Sequence, residues 1–277
     1  MAKLTEYAAA TSFDTNDIII KDGTNGTKKM LVQNAASAFA GLISTNEHKN
    51  TYRGKNLGSS VSNAQKESIR EGTFDDMFVG DYWNINDKKY YIADINYWYN
   101  SGDNENGLKT PHLVMIPEGV LYQEKMNDTA TTAGGYVGSS MYTTGLNQAK
   151  TTIRAAFGDL ILSHRDYFVN AVADGHPSNA AWFDSEIDLM NEIMIFGHRN
   201  GVSGSYYSVI GSMDNRQLAI FRLATKHFSS RRHIWLRDIA DSTQFIYLNY
   251  DGIVKQLRAN ASCGVRPVFA IGVASST

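Results

Sequence analysis

The chain has 277 residues, of which 26 are Lys or Arg and 28 are Asp or Glu, giving a formal net charge of -2. This length suits one large domain, or one domain with a small appendage, and leaves enough apolar residues for a packed core. The near balance of charges gives no basic field that would attract duplex nucleic acid, so we expect no nucleic acid as a partner. The one cysteine, Cys263, excludes an intrachain disulfide and a thiolate metal cage.

The N-terminal segment does not combine basic residues with an apolar stretch, and no apolar run approaches the roughly 18 residues that cross a bilayer. We therefore expect no export signal within the chain and no membrane partner. The chain has 15 Tyr and 12 Phe among many Asn, Ser, Thr and Gly residues. This composition favours a loop-rich mixed domain whose rings supply both core and contact surface.

Residues 1–45 are predicted to form a unit of their own. The segments IIIK at 18–21 and KKMLVQ at 28–33 flank a Gly/Asn-rich turn, which predicts a β-hairpin. Asn34 is then expected to cap a short helix over AASAFAGLI. A hairpin with one helix is too small to be stable alone, so we expect it to pack against copies of itself or against another protein.

Residues 46–60 are polar, contain Gly and lack periodicity, and are predicted to be a linker. The main domain is predicted over residues 61–277. Ser62 and Gln65 have the spacing of a capping box, which predicts a helix that ends at Gly72.

The residues after this helix predict strands and one long loop. MFVGDYWNI and KKYYIADINYWYN are predicted to be two strands joined at Asn86-Asp87. HLVMIPEGVLY predicts another strand, interrupted by Pro117. Residues 126–144 are rich in Thr, Gly and Ser, which indicates a long ordered loop of the kind that usually serves contacts.

Two later segments predict amphipathic helices. Residues 145–158 place Leu146, Ala149, Ile153 and Phe157 on one face, with Gly158 at the C-terminal end. Residues 184–197 have Asp184 or Ser185 as cap and turn Ile187, Met190, Ile193 and Met194 inward. Two helices among many short strands predict the α+β class.

Five blocks in fixed order carry a resemblance to a known family: GTFDDMFVGDYW, LYQEKMNDTATTAGGYVGSSMYTTGLNQAKTTI, WFDSEIDLMNEIMIFG, WLRDI and GVRPVFAI. Together they resemble bacteriophage virion and prophage proteins that carry a C-terminal C-type-lectin-like domain of otherwise undefined function. The segment LTEYAAATSFDTNDIIIKDGT is similar to the short attachment modules that open many phage tail and head fibre proteins.

The resemblance implies a fold in which two helices flank small twisted antiparallel sheets, the chain ends pair as adjacent strands, and long loops share one face. It places Trp235, Leu236 and Arg237 on one central strand and residues 265–271 on another. Related lectin-like folds serve as receptor-binding tips, as sugar-binding modules and as a formylglycine-generating oxidase. A fold by itself does not choose among these functions.

Catalytic and metal-binding alternatives are disfavoured by the residues present. The oxidase chemistry needs a pair of thiols, so Cys263 is expected to be a small apolar residue at a strand start. None of the four prolines lies in the carboxylate or amide triplets of calcium-dependent lectins, and no HExxH, GxSxG or Walker pattern occurs. We therefore expect a protein that is not an enzyme and that needs no metal and no cofactor.

Several charged residues are expected to be structural. His164, Arg165 and Asp166 suggest an acid/base group, but neighbours on a strand point to opposite faces, so structural hydrogen bonds are favoured. The remaining candidates are expected to be framework ion pairs of the core strands: Arg237 with Asp238, and Arg266 beside Pro267.

The candidate binding residues are aromatic, because flat rings stack on sugars or anchor protein contacts with little loss of entropy. The ligand-binding candidates are Tyr97, Trp98, Tyr99, Tyr206 and Tyr207, with Tyr90 and Tyr91 nearby. Two interpretations stay open for the NYWYN segment: an exposed contact surface, or alternate residues that fill the core. The Tyr206-Tyr207 pair, flanked by Gly and Ser, is favoured as exposed.

The preferred hypothesis is a phage structural protein located in the virion after assembly in the host cytoplasm. It would be a fibre or spike subunit, homotrimeric, that contacts other virion proteins through residues 1–45. Its lectin-like domain would bind a host cell-surface glycan or protein. The alternative is a non-catalytic capsid decoration or head fibre protein that stabilises the particle and binds no receptor.

Overall fold

The chain divides into two units, Met1–Ser44 and Thr45–Thr277. In the first unit β1 (Ile18–Lys21) pairs antiparallel with β2 (Lys28–Leu31), which confirms the predicted hairpin. The helix predicted after Asn34 lies outside the described residues. The computed structural model describes residues 18–21, 28–31, 45–103, 107–199, 216–228 and 231–274.

The second unit contains helices and strands in a mixed order. Its helices are α1 (Thr45–Asn50), α2 (Asn63–Glu71), α3 (Asn147–Phe157), α4 (Glu192–Phe196) and α5 (Ala219–Leu223). Its first strands are β3 (Tyr82–Ile85), β4 (Lys88–Ile95), β5 (His112–Pro117), β6 (Tyr122–Lys125), β7 (Ile161–Leu162), β8 (His164–Ala173) and β9 (His176–Ser185). The remaining strands are β10 (Ile187–Leu189), β11 (Ile234–Ile239), β12 (Gln244–Leu248), β13 (Val254–Arg258), β14 (Ser262–Val265) and β15 (Pro267–Gly272). Within the described ranges, none of these helices has the length and apolar character of a membrane span.

The segment predicted as a linker, residues 46–60, belongs to the second unit. It contains most of α1, whose His48 is fully buried. Further along, the backbone N–H of Leu57 donates to the carbonyl oxygen of Tyr82 across 2.8 Å. The linker prediction is therefore wrong, because backbone hydrogen bonds to the edge of a sheet hold a polar segment without any hydrophobic period.

Helix α2 begins and ends at the residues that its sequence predicts. The Ser62 side chain accepts from the Gln65 backbone while the Gln65 side chain accepts from the Ser62 backbone, so both halves of the capping box are present. Gly72 ends the helix with φ of 72°, the left-handed conformation that glycine adopts without strain. Burial of Ile69 anchors the helix on the core.

A six-stranded sheet, in the order β10, β15, β5, β4, β3 with β7 also on β15, forms the centre of the unit. All of its strand pairs are antiparallel. Both faces are covered: alternate residues of β4, β5 and β15 belong to two separate apolar clusters. One cluster contains Ile92, Met115 and Phe269, and the other contains Ala93, Val114 and Ala270.

The first and last strands of this unit are not neighbours. β5 and β4 lie between β15 and β3, so the expected pairing of the chain ends as adjacent strands is wrong. Residues 265–271 also do not form one strand, because the chain leaves one sheet at Val265 and enters the other at Pro267. Arg266 lies at this crossing point between the two sheets.

The second sheet has five strands in the order β13, β12, β11, β14, β6. Its pairs are antiparallel except β11 with β14, which is parallel. Trp235, Leu236 and Arg237 lie on β11, the middle strand, as the resemblance implied. The mixture of helices with mostly antiparallel sheets confirms the α+β class. A separate two-stranded hairpin is formed by β8 and β9.

Of the two predicted amphipathic helices, one forms as expected. α3 buries Leu146, Ala149, Ile153 and Phe157, and Gly158 follows it with φ of 54°. The second prediction, over residues 184–197, is wrong in type: β9 continues to Ser185, β10 pairs with β15, and only the five residues of α4 are helical. The cap is Asn191, whose side chain accepts from the Met194 backbone N–H at 2.8 Å.

Candidate functional site

Two of the predicted binding residues, Tyr97 and Trp98, are each only 1% exposed. The Tyr97 hydroxyl donates to the carbonyl oxygen of Arg216 at 2.8 Å, and the Trp98 ring stacks on His164 with centroids 3.7 Å apart. Both rings are core residues, so their assignment to a contact surface is corrected. Both rings are buried because of tertiary packing, since Tyr97 contacts the segment at Arg216 and Trp98 contacts His164. The local pattern of NYWYN allowed either interpretation.

The other predicted aromatic residues have different positions. Tyr99 is 44% exposed and keeps its candidacy as a contact residue. Tyr90 and Tyr91 are buried in the two apolar clusters on opposite faces of β4. Tyr206 and Tyr207 lie outside the described residues.

The β8–β9 hairpin carries an aromatic pair that is absent from the predicted binding residues. Tyr167 and Trp182 are cross-strand partners, half-buried, with ring centroids 5.3 Å apart. On the same face, Arg165 donates through Nε and Nη2 to both carboxylate oxygens of Asp103 at 2.8 Å. In the segment HRDYFV of β8, Arg165 and Tyr167 alternate with the buried His164, Asp166 and Phe168. This alternation is the sequence signal that distinguishes the two faces of the hairpin.

The buried face of the hairpin holds an ionic cluster. Arg237 Nη2 donates to Asp166 Oδ2 at 2.8 Å, and Tyr136 donates to Asp188 Oδ1 at 2.9 Å. Burial raises the pKa of Asp188 to about 7, although the Arg237 cation and the Tyr136 hydrogen bond both favour its charged form. These contacts confirm the structural interpretation of Asp166 and of Arg237, whose carboxylate partner is Asp166 rather than the predicted Asp238.

His164 is also structural, but not through hydrogen bonds. Neither ring nitrogen makes a hydrogen bond of standard geometry, and the ring contributes a stacking contact to Trp98. Burial lowers the pKa of His164 to about 3, and the nearby His112 and Arg237 lower it further. The imidazole is therefore neutral and acts as an apolar ring at pH 7.

Cys263 is buried on β14, in agreement with its prediction as a small residue of a strand. Burial raises the pKa of its thiol to about 12, so the sulfur stays protonated and unreactive at neutral pH. Over the part of the chain that the structure describes, no group of three His, Cys, Asp or Glu side chains is placed to hold a metal ion.

The candidate binding site is an open cleft of about 670 Å³ at one end of the six-stranded sheet, here called the basic cleft. Separate segments line it: residues 87–89 at the β3–β4 turn, Tyr91, residues 117–121 after β5, residues 226–227 after α5, and Arg231. Loops held by a sheet that is buried on both faces form a rigid frame for contact side chains.

Cations outnumber acids in the basic cleft. Lys88, Lys89, Lys226 and Arg231 line it together with two acids, Asp87 and Glu118. Glu118 Oε1 already accepts from Lys89 Nζ and from the Tyr91 hydroxyl, each at 3.1 Å. The lining therefore has a positive balance of two charges, and the carboxylate of Glu118 is already engaged with two donors.

Lys226 lies over the ring of Tyr52, which in turn contacts His227. Its Nζ lies 4.9 Å from the centroid of the Tyr52 ring, and the Tyr52 hydroxyl lies 3.1 Å from Nε2 of His227. Burial lowers the pKa of His227 to about 4, with further lowering by Arg266 and Lys226. His227 is therefore a neutral wall residue at pH 7, whereas the exposed Lys226 carries its charge to the cleft.

Arg266 lies directly behind the wall of the cleft and is 1% exposed. Its Nε donates to the carbonyl oxygen of Pro117 at 2.9 Å and its Nη1 to that of His227 at 2.8 Å. Nη2 has no hydrogen-bond partner, and among the described residues Arg266 forms no ion pair. The predicted framework ion pair of Arg266 is corrected: the guanidinium is a buried cation bound to carbonyl oxygens. Burial lowers its pKa to about 10.

No local sequence pattern predicts the basic cleft. Its cations come from the β3–β4 turn and from the run KHFSSRRH, and only this run is recognisable as a basic segment. Comparison of the chain with protein-family models, with curated proteins and with solved structures finds no match in any of the three. The family resemblance therefore remains an inference from the sequence blocks, and the cleft is a candidate site that the structure adds to it.

Proposed function

We propose that this chain is a bacteriophage virion protein, a fibre or spike subunit whose second unit binds a glycan or protein on the host cell surface. The observation that carries the proposal is the basic cleft, a cavity of about 670 Å³ built by separate loops on a rigid sheet. A concave site of this size is typical of ligand binding. The sequence resemblance supplies the biological setting.

The proposed fold of the second unit is C-type-lectin-like. Support comes from the α+β composition, from α3 packed on the core, and from the long connection between β6 and α3. The position of β3 at the sheet edge, separated from β15 by β5 and β4, is a departure from the expected pairing of the chain ends. The cleft lies on loops, which is where such a module would carry its specificity.

Binding rather than catalysis is favoured by how the ionisable groups are used. Buried Asp166 is paired with Arg237, and Glu118 in the cleft is held by Lys89 and Tyr91. The cleft offers fixed positive charge, which attracts and orients an oppositely charged ligand.

The first unit, Met1–Ser44, is proposed to attach the protein to the particle and to assemble it as a homotrimer. Its hairpin of two four-residue strands is below the size at which an isolated hairpin is stable, so contacts with copies or with another virion protein would stabilise it. The alternative of a decoration protein without a receptor predicts the same attachment but no ligand in the cleft.

Two measurements on phage particles test this proposal. Electron microscopy of virions labelled with a Fab against the second unit should show label on fibres or spikes that project from the particle. Purified full-length protein should also slow adsorption of the phage to host cells by competition. Label on the particle without competition would favour the decoration protein, and absence of label would overturn the virion assignment.

A further inference from the structure

The charge of the basic cleft has the opposite sign to that of the whole chain. Four cations and two acids line the cleft, whereas the chain has a net charge of -2. A concave surface lined mostly by one sign of charge concentrates the electrostatic field and raises the local concentration of counter-ions. The cleft is therefore built to attract an anion.

Arg266 adds a further positive charge behind the wall. Both of its carbonyl acceptors, on Pro117 and His227, belong to residues that line the cleft. A buried guanidinium without a carboxylate partner is unfavourable unless an opposite charge approaches it, and one of its nitrogens has no partner. An anion in the cleft would supply an opposite charge on the other side of these two wall residues.

The dimensions of the cleft select a small ligand. A volume of about 670 Å³ accommodates a short oligosaccharide, whereas duplex nucleic acid is bound along extended basic surfaces. Tyr91 also lines the cleft, where its hydroxyl donates to Oε1 of Glu118 at 3.1 Å. Positive charge spread over a cavity of this volume matches an acidic sugar better than a simple inorganic anion.

We propose that the basic cleft binds an anionic saccharide, whose carboxylate or phosphate groups form ion pairs with Lys88, Lys226 and Arg231. The inference rests on the proposed function and specifies the chemical class of its ligand. Lys226 is positioned by the Tyr52 ring, Lys88 projects from the start of β4, and Arg266 strengthens the field from behind.

A matched pair of variants separates a specific site from general charge attraction. Lys88→Gln/Lys226→Gln removes two exposed cations from the cleft, and Lys255→Gln/Arg258→Gln removes two exposed cations from β13. Both double variants have the same net charge. All four side chains are exposed, so neither variant disturbs the core, and thermal melting checks that both remain folded.

Isothermal titration of the full chain with defined saccharides tests the ligand class. The probes are tetragalacturonate for carboxylate, phosphorylated maltotetraose for phosphate, and maltotetraose as the neutral control. We expect one or both anions to bind the wild-type chain and the β13 variant alike. The cleft variant should bind that anion at least about tenfold more weakly, which corresponds to losing one or more charge-assisted contacts. The anion that binds with the higher affinity identifies whether the cleft prefers carboxylate or phosphate groups.

Three results would overturn the inference: no binding of either anion, equal binding of maltotetraose, or equal weakening by the two double variants. Failure of this inference is distinguishable from failure of the proposed function. If the protein competes with phage adsorption but binds neither anion, its ligand belongs to a different chemical class and only this inference fails. If the protein binds an anion in the cleft but is absent from the virion, the anion site is supported and the proposed function fails.

Discussion

Arg237 and Asp166 join the middle strand of the five-stranded sheet to the β8–β9 hairpin through a buried ion pair of 2.8 Å. The Arg237 guanidinium also lies over the Phe168 ring at 4.7 Å and donates to the carbonyl oxygen of Leu189 at 3.2 Å. One side chain thereby connects a sheet, a hairpin and β10. The pair is expected to fix how these elements pack.

Replacing Asp166 by Asn should destabilise the protein by about 3–5 kcal/mol, because the buried guanidinium loses its charged partner. Urea denaturation at neutral pH measures the change. Glu67→Gln is the control, since the Glu67–Arg70 pair is exposed and its loss should leave the midpoint unchanged. Equal midpoints for wild type and Asp166→Asn would contradict the structural role of the pair.

Gly264 is required by close packing rather than by its backbone angles. A Cβ there would lie 2.4 Å from the carbonyl oxygen of His233 and 2.4 Å from Cγ2 of Val120. We expect Gly264→Ala to lower the free energy of unfolding by about 3 kcal/mol through overpacking. Gly119→Ala, where nothing lies within 4 Å, should change it by less than about 0.5 kcal/mol. A tolerated Gly264→Ala would show that β14 and the β5–β6 connection are farther apart.

The buried His164 should make the protein sensitive to acid. Its native pKa is lowered to about 3, whereas an unfolded histidine binds a proton below about 6.5, so stability is lost as pH falls from that value. Between pH 7 and pH 5 the loss from this residue is about 2 kcal/mol. His164→Phe keeps a ring against Trp98 and should remove that part of the pH dependence, as measured by urea denaturation at both pH values. The exposed His176, changed to Gln, is the control, and an unchanged slope in His164→Phe would contradict the assignment.

Asp188 should have the opposite effect on the pH dependence of stability. Burial raises its native pKa to about 7, above the unfolded value of about 3.9, so stability falls as pH rises through this window. Asp188→Asn retains an acceptor for the Tyr136 hydroxyl and should gain about 2–3 kcal/mol relative to wild type between pH 5 and pH 8. Denaturation at the two pH values measures the gain. Asp184→Asn, at an exposed carboxylate, should show no such trend, and the same trend in both variants would refute the prediction.

Removal of residues 1–44 tests the role of the first unit. The fragment Thr45–Thr277 contains both large sheets, so we expect it to keep its thermal transition. Light scattering should show a trimer for the full chain and a monomer for the fragment. An unchanged oligomer in the fragment would place assembly in the second unit.

Local signals predicted part of the fold correctly. The capping box of α2 involves only Ser62 and Gln65, and the turn between β3 and β4 involves Asn86 and Asp87, both at positive φ. Each signal is complete within a few residues, so tertiary context does not alter it.

Other features depend on partners that are distant in the chain. Ile187 fits both a helical period with Met190 and a strand period with Leu189, and pairing with β15 decides the outcome. Burial of Trp98 depends on its packing against His164, which no local pattern shows. Lys88 and Lys226 are far apart in the sequence, and the fold brings them together at the basic cleft. Neither residue indicates a site by itself.

Competition for phage adsorption tests the central claim, that the second unit recognises the host surface through its basic cleft. Host cells are preincubated with full-length wild type, with Lys88→Gln/Lys226→Gln, or with Lys255→Gln/Arg258→Gln. We expect wild type and the β13 variant to slow adsorption equally, and the cleft variant to slow it much less. Equal competition by all three proteins, or by none of them, would contradict the account.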